Sequence, residues 1–180
     1  LKMRANIYER GIDKISANSR MLAISLQFSP KFDKEISSAF VDKIETASLL
    51  HDIGMLSVND AVAYKDTNLT ADELEGIRRH TVVGADYLQK INTDKNKNGY
   101  LEMAVEIAKY HHENWDGTGY PEGLSGTDIP LSARIVAVID TFMALNSERS
   151  YRDAYTREES VEIIKSESGR RFDPDIIDIF

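Results

Sequence analysis

Apolar residues recur at intervals of three and four positions along most of the chain, which is the spacing of one face of an α-helix. No run of alternating polar and apolar residues indicates a convincing β-strand. The pattern therefore predicts an all-α fold. The predicted helices cover residues 2–27, 34–51, 70–88, 100–112, 131–146 and 156–167, with a short closing helix after Pro174.

The predicted helix over 70–88 has the clearest pattern. Thr70 and Glu73 have the spacing of a capping box, which predicts that the helix begins just after Thr70. The apolar stripe that follows passes through His80 or Thr81, so His80 is expected to point inwards. A single histidine on an apolar face is more often a core residue than a ligand, and this position alone does not decide between the two.

Composition limits the class of protein. The 180 residues, 42% of them hydrophobic, suit one globular domain over 1–180, whose first helix (1–27) starts as if it continued from an upstream regulatory domain. No segment reaches the roughly 18 apolar residues of a membrane span, and the absence of cysteine fits a reducing compartment, so we expect a cytoplasmic protein. The net charge of −8 argues against binding to polymeric nucleic acid.

The polar stretch over 92–99 imitates the start of a calcium-binding loop. Asp94, Asn96 and Asn98 stand where the EF-hand pattern places its first three ligands. Val105 occupies the twelfth position, which must supply a bidentate carboxylate in that pattern. We therefore expect a solvated turn here.

Several ionisable residues stand inside strongly apolar segments. Asp140 interrupts "IVAVIDTFMAL", so we expect it to be buried, and His51 and Asp52 interrupt "ASLLHDIG", where Gly54 is expected to end a helix. A buried carboxylate is costly without a partner. An arginine, a helix N-terminus or a metal ion can each fill that role.

The remaining two histidines, His111 and His112, are adjacent at the start of an irregular loop over 110–130 that holds four of the ten glycines and two of the four prolines. All four histidines of the chain thus lie in apolar, helical settings near predicted helix ends. Imidazole and carboxylate are the usual ligands of iron, manganese and zinc, and one carboxylate can bridge two ions about 3.5–4 Å apart. Successive helix residues point about 100° apart, so adjacent histidines suit a centre with two ions. They can ligate different ions, or one can lie beside the ion that the other ligates.

Four separated motifs in this order resemble the HD-GYP family of bacterial cyclic di-GMP phosphodiesterases. They are "HDIG" from His51, "RRHTVVGADYL" around His80, "HHENWDGTGYPEGLSG" from His111, and "IPLSARIVAVIDTFMALNSERSYRDAYTREE" from Ile129. The resemblance covers almost the whole chain and implies an HD-type helical bundle. It also implies a binuclear metal centre, with Asp52 as the bridging ligand. The implied ligands are His51, Asp52, His80, His111, His112 and Asp140.

The resemblance names the loop over 110–130, since Gly119, Tyr120 and Pro121 are the family's GYP; we call 110–130 the GYP loop. It implies two divalent ions, iron first and manganese or zinc as alternatives. It also implies hydrolysis of cyclic di-GMP to linear pGpG, and further to GMP, by a hydroxide generated at the centre. Asp52 and Tyr120 are the implied catalytic residues. Arg149 and Arg152, together with Tyr120, are the implied substrate contacts, and the loop is a candidate docking surface for a protein partner.

Trp115 of the same loop has two interpretations. Its flat ring can lie beside the substrate, or it can anchor the loop on the core, which is the commoner role of a tryptophan.

The sequence departs from the family pattern at Gly11, Met55, Met143 and Ser150. Met55 stands where the family has a lysine thought to meet the substrate phosphate, and Gly11 stands where a histidine binds a third metal in some members. We therefore expect no third ion and slow turnover. A second class of function stays open, namely a module that binds cyclic di-GMP or docks a partner with little catalysis. A third, weaker alternative is an HD-type phosphohydrolase that acts on ordinary nucleotides.

Overall fold

A computed structural model describes residues 2–63, 65, 67–92, 99–148 and 153–180, with side chains from residue 14 onwards. The described chain is helical and contains no strand, so the all-α prediction is confirmed. No described helix is both long enough and apolar enough to cross a membrane. The α-helices are α1 Lys2–Gln27, α2 Ser38–Ala47, α3 Asp60–Ala63, α4 Ala71–Arg78, α5 His80–Ile91, α6 Tyr100–Tyr110, α7 Leu131–Leu145, α8 Arg157–Ser166 and α9 Pro174–Ile177. Short 3-10 segments cover Ser48–Leu50, Ile53–Ser57 and Gly126–Asp128.

Two capping boxes fix the starts of α4 and α8. The Thr70 hydroxyl accepts the Glu73 N–H at 3.2 Å, while the Glu73 carboxylate accepts the Thr70 N–H at 2.7 Å. Thr156 and Glu159 make the same reciprocal pair at the start of α8. Each box satisfies backbone donors that the first turn of a helix leaves unpaired. The capping box predicted at Thr70 is confirmed.

The predicted helix over 34–51 is wrong at both ends. Helix α2 begins only at Ser38, because the Ser37 hydroxyl accepts the Phe40 N–H at 3.2 Å and caps the helix there. The helix ends at Ala47, and the chain then tightens into the 3-10 segment Ser48–Leu50.

The predicted helix over 70–88 is also wrong, since it consists of two helices that meet at Arg79. The His80 ring nitrogen Nδ1 lies 2.7 Å from the Ile77 carbonyl oxygen, and the Thr81 hydroxyl donates to the Arg78 carbonyl at 3.0 Å. These side-chain bonds compete with the backbone bonds that would continue α4. The second helix, α5, then runs beyond the predicted end to Ile91.

The core lies between α1, α2, α6 and α7. Leu26, Ile44, Ile107 and Val138, one from each of these helices, are fully buried. Helix α7 is the most deeply placed, since all five residues of 135–139 are buried. A closely packed core of this kind holds the ends of α6 and the middle of α7 in fixed relative positions.

Gly54 does not end a helix, contrary to the prediction, because α2 has already ended at Ala47. Instead, Gly54 lets the 3-10 segment Ile53–Ser57 lie against α5. A β-carbon built on Gly54 would lie 1.9 Å from the His80 carbonyl oxygen and 2.7 Å from the Gly84 nitrogen. Glycine is the residue that permits such a close approach of two backbones.

Candidate metal centre

Five of the six candidate ligands lie at or beside the end of a helix, and the sixth, Asp140, lies within one. His51 and Asp52 follow the 3-10 segment Ser48–Leu50, His80 opens α5, and His111 and His112 directly follow α6. Asp140 lies within α7, facing the same place. The packing of these elements brings all six predicted metal ligands together.

The ligand atoms of four residues form a tight group, which we call the four-residue site. Those of Asp52, His80, His111 and His112 all lie within 4.8 Å of one another. Asp52 Oδ1 lies 3.3 Å from His80 Nε2 and 3.7 Å from His111 Nε2. Three imidazoles and a carboxylate are a donor set that suits iron, manganese or zinc.

The second carboxylate oxygen of Asp52 faces a different group. Asp52 Oδ2 lies 3.5 Å from His51 Nε2, and His51 Nε2 in turn lies 3.8 Å from Asp140 Oδ1. Asp52 thus stands between the four-residue site on one side and the His51–Asp140 pair on the other. This is the placement that a carboxylate bridging two ions requires.

Backbone carbonyls orient three of the histidines. The Nδ1 atoms of His51, His80 and His111 lie 2.9, 2.7 and 2.8 Å from the carbonyl oxygens of Ser48, Ile77 and Ile107, respectively. A carbonyl only accepts, so each Nδ1 carries a proton, and each Nε2 faces Asp52, where it can give up its own proton to bind a metal ion. Metal-binding histidines are commonly held in this way.

Two of the Nε2 atoms are buried without a hydrogen bond. Those of His80 and His111 make none of acceptable geometry with any described residue. Buried polar atoms are rarely left unsatisfied, and a metal ion is one of the partners that removes the cost. The donor set therefore fits a metal ion.

Electrostatics within the cluster favour a charged Asp52 and a neutral His112. Burial acts to raise the pKa of the Asp52 carboxyl, but the neighbouring histidines outweigh it and hold that pKa well below its ordinary value. Burial, helped by the positive fields of His111 and His80, lowers the pKa of His112 to about 2. A carboxylate and a neutral imidazole are the forms that bind metals.

Tyr120 of the GYP loop lies against the cluster. Its ring stacks on that of His112, with centroids 4.9 Å apart and planes inclined by 26°. The Arg78 guanidinium lies 5.1 Å from the centre of the Tyr120 ring. Burial raises the pKa of Tyr120 to about 12, so its hydroxyl keeps its proton and can donate a hydrogen bond.

Trp115 lies at the base of the GYP loop, where it contacts residues outside the loop. It is half-buried, its N–H group on the backbone donates to the Arg171 carbonyl at 3.1 Å, and the Arg134 guanidinium lies 5.9 Å from its ring centre. These contacts support the interpretation that Trp115 anchors the loop rather than touching a substrate.

Asp140 is less buried than expected, since 29% of its side chain is exposed. The prediction of a buried carboxylate is therefore wrong in degree, because α7 turns this position towards the cleft that holds the cluster. Its described partner is His51, and no arginine among the described residues pairs with it. This favours the metal-ligand interpretation over a structural ion pair.

The structure describes the side chains of two positions that depart from the family pattern, Met55 and Met143. Met55 is half-buried in the 3-10 segment after Asp52, and its N–H donates to the Asp52 carbonyl at 2.9 Å. The Met143 sulfur accepts a hydrogen bond from the Asn18 amide on α1 at 3.3 Å. The described residues do not include Arg149, Ser150 and Arg152, or the calcium-like positions Asp94, Asn96 and Asn98. Gly11 lies in α1, where side chains are described only from residue 14 onwards.

A family model described as the HD domain matches residues 18–176. The chain belongs to the HD domain family. The name fits the His51–Asp52 pair at the centre of the cluster. The HD domain family uses divalent metal ions, and the four-residue site is a His/Asp group that suits one.

Curated relatives place this HD domain in the HD-GYP group. The chain is 41% identical over 143 residues to the "cyclic di-GMP phosphodiesterase response regulator RpfG" of Xanthomonas campestris, covering 79% of this chain and 36% of that protein. It is 38% identical over 144 residues to the "3'3'-cGAMP-specific phosphodiesterase 2" of Vibrio cholerae, covering 80% of this chain and 27% of that protein. The chain thus spans about a third of the length of these relatives. The predicted HD-GYP resemblance is confirmed.

A solved HD-GYP structure has the same fold. An "HDG"Y"P protein" from Bdellovibrio bacteriovorus superimposes with a TM-score of 0.63 at 19% sequence identity, covering 93% of this chain and 50% of that chain. The predicted HD-type helical bundle is confirmed.

Two residues beside the candidate ligands, Arg78 and Glu113, are not indicated by the sequence pattern. Arg78 is exposed on α4, and only its distance to the Tyr120 ring shows that it lies near the four-residue site. Glu113 follows His112 directly, yet the residue is only 3% exposed and its carboxylate faces the loop. A charged residue directly after two candidate ligands was the available signal for Glu113.

Proposed function

We propose that this HD domain is a metal-dependent phosphodiesterase that hydrolyses cyclic dinucleotides, with cyclic di-GMP as the first expected substrate. The observation that carries the proposal is the position of Asp52. Its two oxygens face two different sets of donors, at 3.3 Å from His80 Nε2 and 3.5 Å from His51 Nε2. A shared carboxylate between two donor sets is the arrangement used by enzymes that hydrolyse phosphate esters with two ions.

The proposed ligand sets follow from these distances. Asp52, His80, His111 and His112 would hold one ion, and His51, Asp140 and the other oxygen of Asp52 would hold the second. Iron is the first expectation, with manganese or zinc as alternatives, because mixed imidazole and carboxylate ligands accept all three.

Two bound ions would supply an acidified water and stabilise negative charge on the phosphoryl oxygens. The protein's own residues bind and orient the substrate. Tyr120, whose hydroxyl stays protonated, is placed to donate a hydrogen bond beside His112. Arg78, beside the Tyr120 ring, offers a guanidinium to a phosphate or to a guanine edge. Arg149 and Arg152 remain predicted substrate contacts.

The substrate class rests on the named relatives. One of them is named a cyclic di-GMP phosphodiesterase and another a 3'3'-cGAMP-specific phosphodiesterase, at 41% and 38% identity. Both substrates are cyclic dinucleotides with two phosphodiester groups, so the same metal centre suits either. We rank cyclic di-GMP first because five relatives, 34–41% identical to this chain, are named as its phosphodiesterases.

Met55 supports a second candidate function, a module that binds cyclic dinucleotides with little turnover. A thioether at this position cannot meet developing negative charge on a phosphate as the family's lysine would. The complete ligand set favours the enzyme, because a module freed from catalysis has no need of six placed ligands. Docking of a protein partner on the GYP loop stays a prediction.

The test combines metal analysis under anaerobic conditions with turnover assays on cyclic di-GMP, 3'3'-cGAMP and a nucleoside monophosphate ester. We expect about two transition-metal ions per chain and the linear dinucleotide as product. Tight binding of cyclic di-GMP by metal-loaded protein without any product would support the binding module instead. A protein that stays metal-free after separate reconstitution with iron, manganese and zinc would overturn the proposal.

A further inference from the structure

The carboxylate of Glu113 is buried and fully engaged with the backbone of the GYP loop. Its Oε1 accepts the N–H groups of Glu122 at 2.8 Å and Gly123 at 3.1 Å, and its Oε2 accepts the N–H of Leu124 at 3.1 Å. Only 3% of the residue is exposed. A carboxylate is an acceptor only, and three donors from consecutive residues make a backbone nest around it.

Glu113 is also fixed in relation to the histidines. It follows His112 directly. Its N–H donates at 2.9 Å to the carbonyl of Tyr110, which is the last residue of α6. Both carboxylate oxygens are committed to the loop, so Glu113 is not placed to ligate a metal ion. Its role must therefore lie in the loop that it holds.

The loop returns directly onto the backbone beside Glu113. A β-carbon built on Gly119 would lie 2.2 Å from the Asn114 nitrogen and 2.5 Å from the Glu113 α-carbon. The next residue, Tyr120, donates its N–H to the His112 carbonyl at 3.1 Å. The backbone at Gly119 and Tyr120 thus lies against residues 112–114, while Glu113 binds residues 122–124 of the loop.

Other contacts of this part of the loop are weaker anchors. The Glu122 side chain pairs with Lys109, but this ion pair is at the surface, where such pairs add about 0–1 kcal/mol. Charge-assisted hydrogen bonds in a buried setting are considerably stronger. Glu113 is therefore the main polar anchor of residues 122–124 in the described chain.

We propose that Glu113 is a positioning residue, whose buried carboxylate holds residues 122–124 of the GYP loop and thereby keeps the Tyr120 ring stacked on His112. The anchoring stands on the hydrogen bonds alone. Its effect on turnover rests on the proposed function, so the test has readouts that need no activity.

The first readout is residue-resolved amide hydrogen exchange by NMR. In Glu113→Ala, the amides of Glu122, Gly123 and Leu124 should exchange about ten- to a hundredfold faster than in the parent, as expected when charge-assisted bonds are lost. Glu113→Gln keeps one acceptor oxygen, so it should preserve protection at Glu122 and Gly123 and lose it at Leu124. Glu122→Gln is the matched control, because it removes a carboxylate from the same loop and should leave all three amides protected. Equal exchange in the parent and in Glu113→Ala would overturn the anchoring.

The second readout is the ring current that Tyr120 exerts on the His112 ring protons, measured on zinc-loaded protein because paramagnetic iron or manganese would broaden these resonances. Glu113→Ala should shift these resonances in the same direction as Tyr120→Ala, while Glu113→Gln should restore most of the parental shift. His112 resonances that stay unchanged in Glu113→Ala, with amides 122–124 exposed, would overturn the positioning of Tyr120.

Turnover supplies the final readout. Glu113→Ala should lower kcat about tenfold or more with metal content unchanged, and the double variant with Tyr120→Ala should be no slower than Tyr120→Ala alone, since both changes remove one unit. Additive losses would contradict the coupling. A parent protein without turnover on any cyclic dinucleotide would contradict the proposed function, while the exchange and ring-current results would still decide the role of Glu113.

Discussion

The backbone of Gly54 lies directly against the carbonyl of His80, so closely that a β-carbon at position 54 would lie 1.9 Å from that oxygen. Gly54 follows Asp52 by two residues, and His80 belongs to the four-residue site. The contact therefore sets the distance between two parts of the chain that carry candidate metal ligands. Its loss should affect stability and metal binding together.

Gly54→Ala should destabilise the protein by at least about 1–3 kcal/mol, because the new methyl group meets backbone atoms that cannot move aside. Metal affinity should fall as well. Chemical denaturation and metal titration measure the two effects. The control is Gly76→Ala, where no atom lies within 4 Å of the added carbon, and this change in α4 should be neutral or stabilise by up to about 1 kcal/mol. Equal behaviour of the two variants would show that the close approach has no energetic importance.

Asp52→Ala should remove metal and activity together, because the carboxylate lies between both donor sets. Elemental analysis of the purified variant should find far less than the roughly two ions per chain expected of the parent. Asp86→Ala removes an exposed carboxylate from α5 and should leave metal content unchanged. Full metal occupancy in an inactive Asp52→Ala protein would rule out the bridging role.

Arg78→Ala should weaken cyclic di-GMP binding by about 1.5–3 kcal/mol, the usual size of a charge-assisted contact, without changing metal content. Calorimetry on metal-loaded protein measures the affinity. Arg79→Ala is the matched control, because it removes the same charge from the adjacent, exposed position. A similar loss in both variants would mean that overall charge, rather than a contact beside Tyr120, governs binding. Arg149→Ala is expected to behave like Arg78→Ala.

Met55→Lys should raise the single-turnover rate about ten- to a hundredfold, with a smaller change in affinity, because it restores a positive charge at the family's lysine position. The double variant with Met143→Asp should be made as well. Leu56→Lys, at a neighbouring side chain that is 61% exposed, controls for added charge and should have little effect. If the double variant is no faster than the parent at equal metal occupancy, the binding-module function gains support.

Asp173→Ala should cost about 3–5 kcal/mol of stability, because it leaves the Arg134 guanidinium buried without its partner. The pair is 2.6 Å apart, with 9% and 2% of the two side chains exposed. Arg170→Ala breaks an ion pair whose arginine is 72% exposed and should cost only about 0–1 kcal/mol. Urea denaturation of both variants measures the difference, and a similar cost would show that burial does not strengthen the effect of removing a partner.

Features that depend on residues close together in the sequence could be predicted from it. The capping box at Thr70 and Glu73 needs only residues that lie within one turn, and it is present as expected. The inward direction of His80 followed from the apolar stripe, and the residue is 3% exposed. The order of four separated motifs implied six metal ligands, and these residues lie close together, while their binding of metal stays a prediction.

Features that the apolar pattern does not encode were not predictable. The break at Arg79 arises because His80 and Thr81 use their side chains on carbonyls of the preceding turn, which an apolar pattern does not encode. Gly54 was interpreted as a helix end because its partner, the His80 backbone, lies 26 residues away in the printed sequence. The function of Glu113 depends on the path of the loop, which no periodicity describes.

The base of the GYP loop is joined to a segment that comes much later in the chain. Trp115 and Asp116 donate their N–H groups to the carbonyls of Arg171 and Arg170 at 3.1 and 2.9 Å, and Arg134 pairs with Asp173. During synthesis on the ribosome, all four histidines emerge before these partners do. The contacts at the base of the loop can therefore form only after residue 173 has been made, whereas the contacts of Glu113 with residues 122–124 need no later part of the chain.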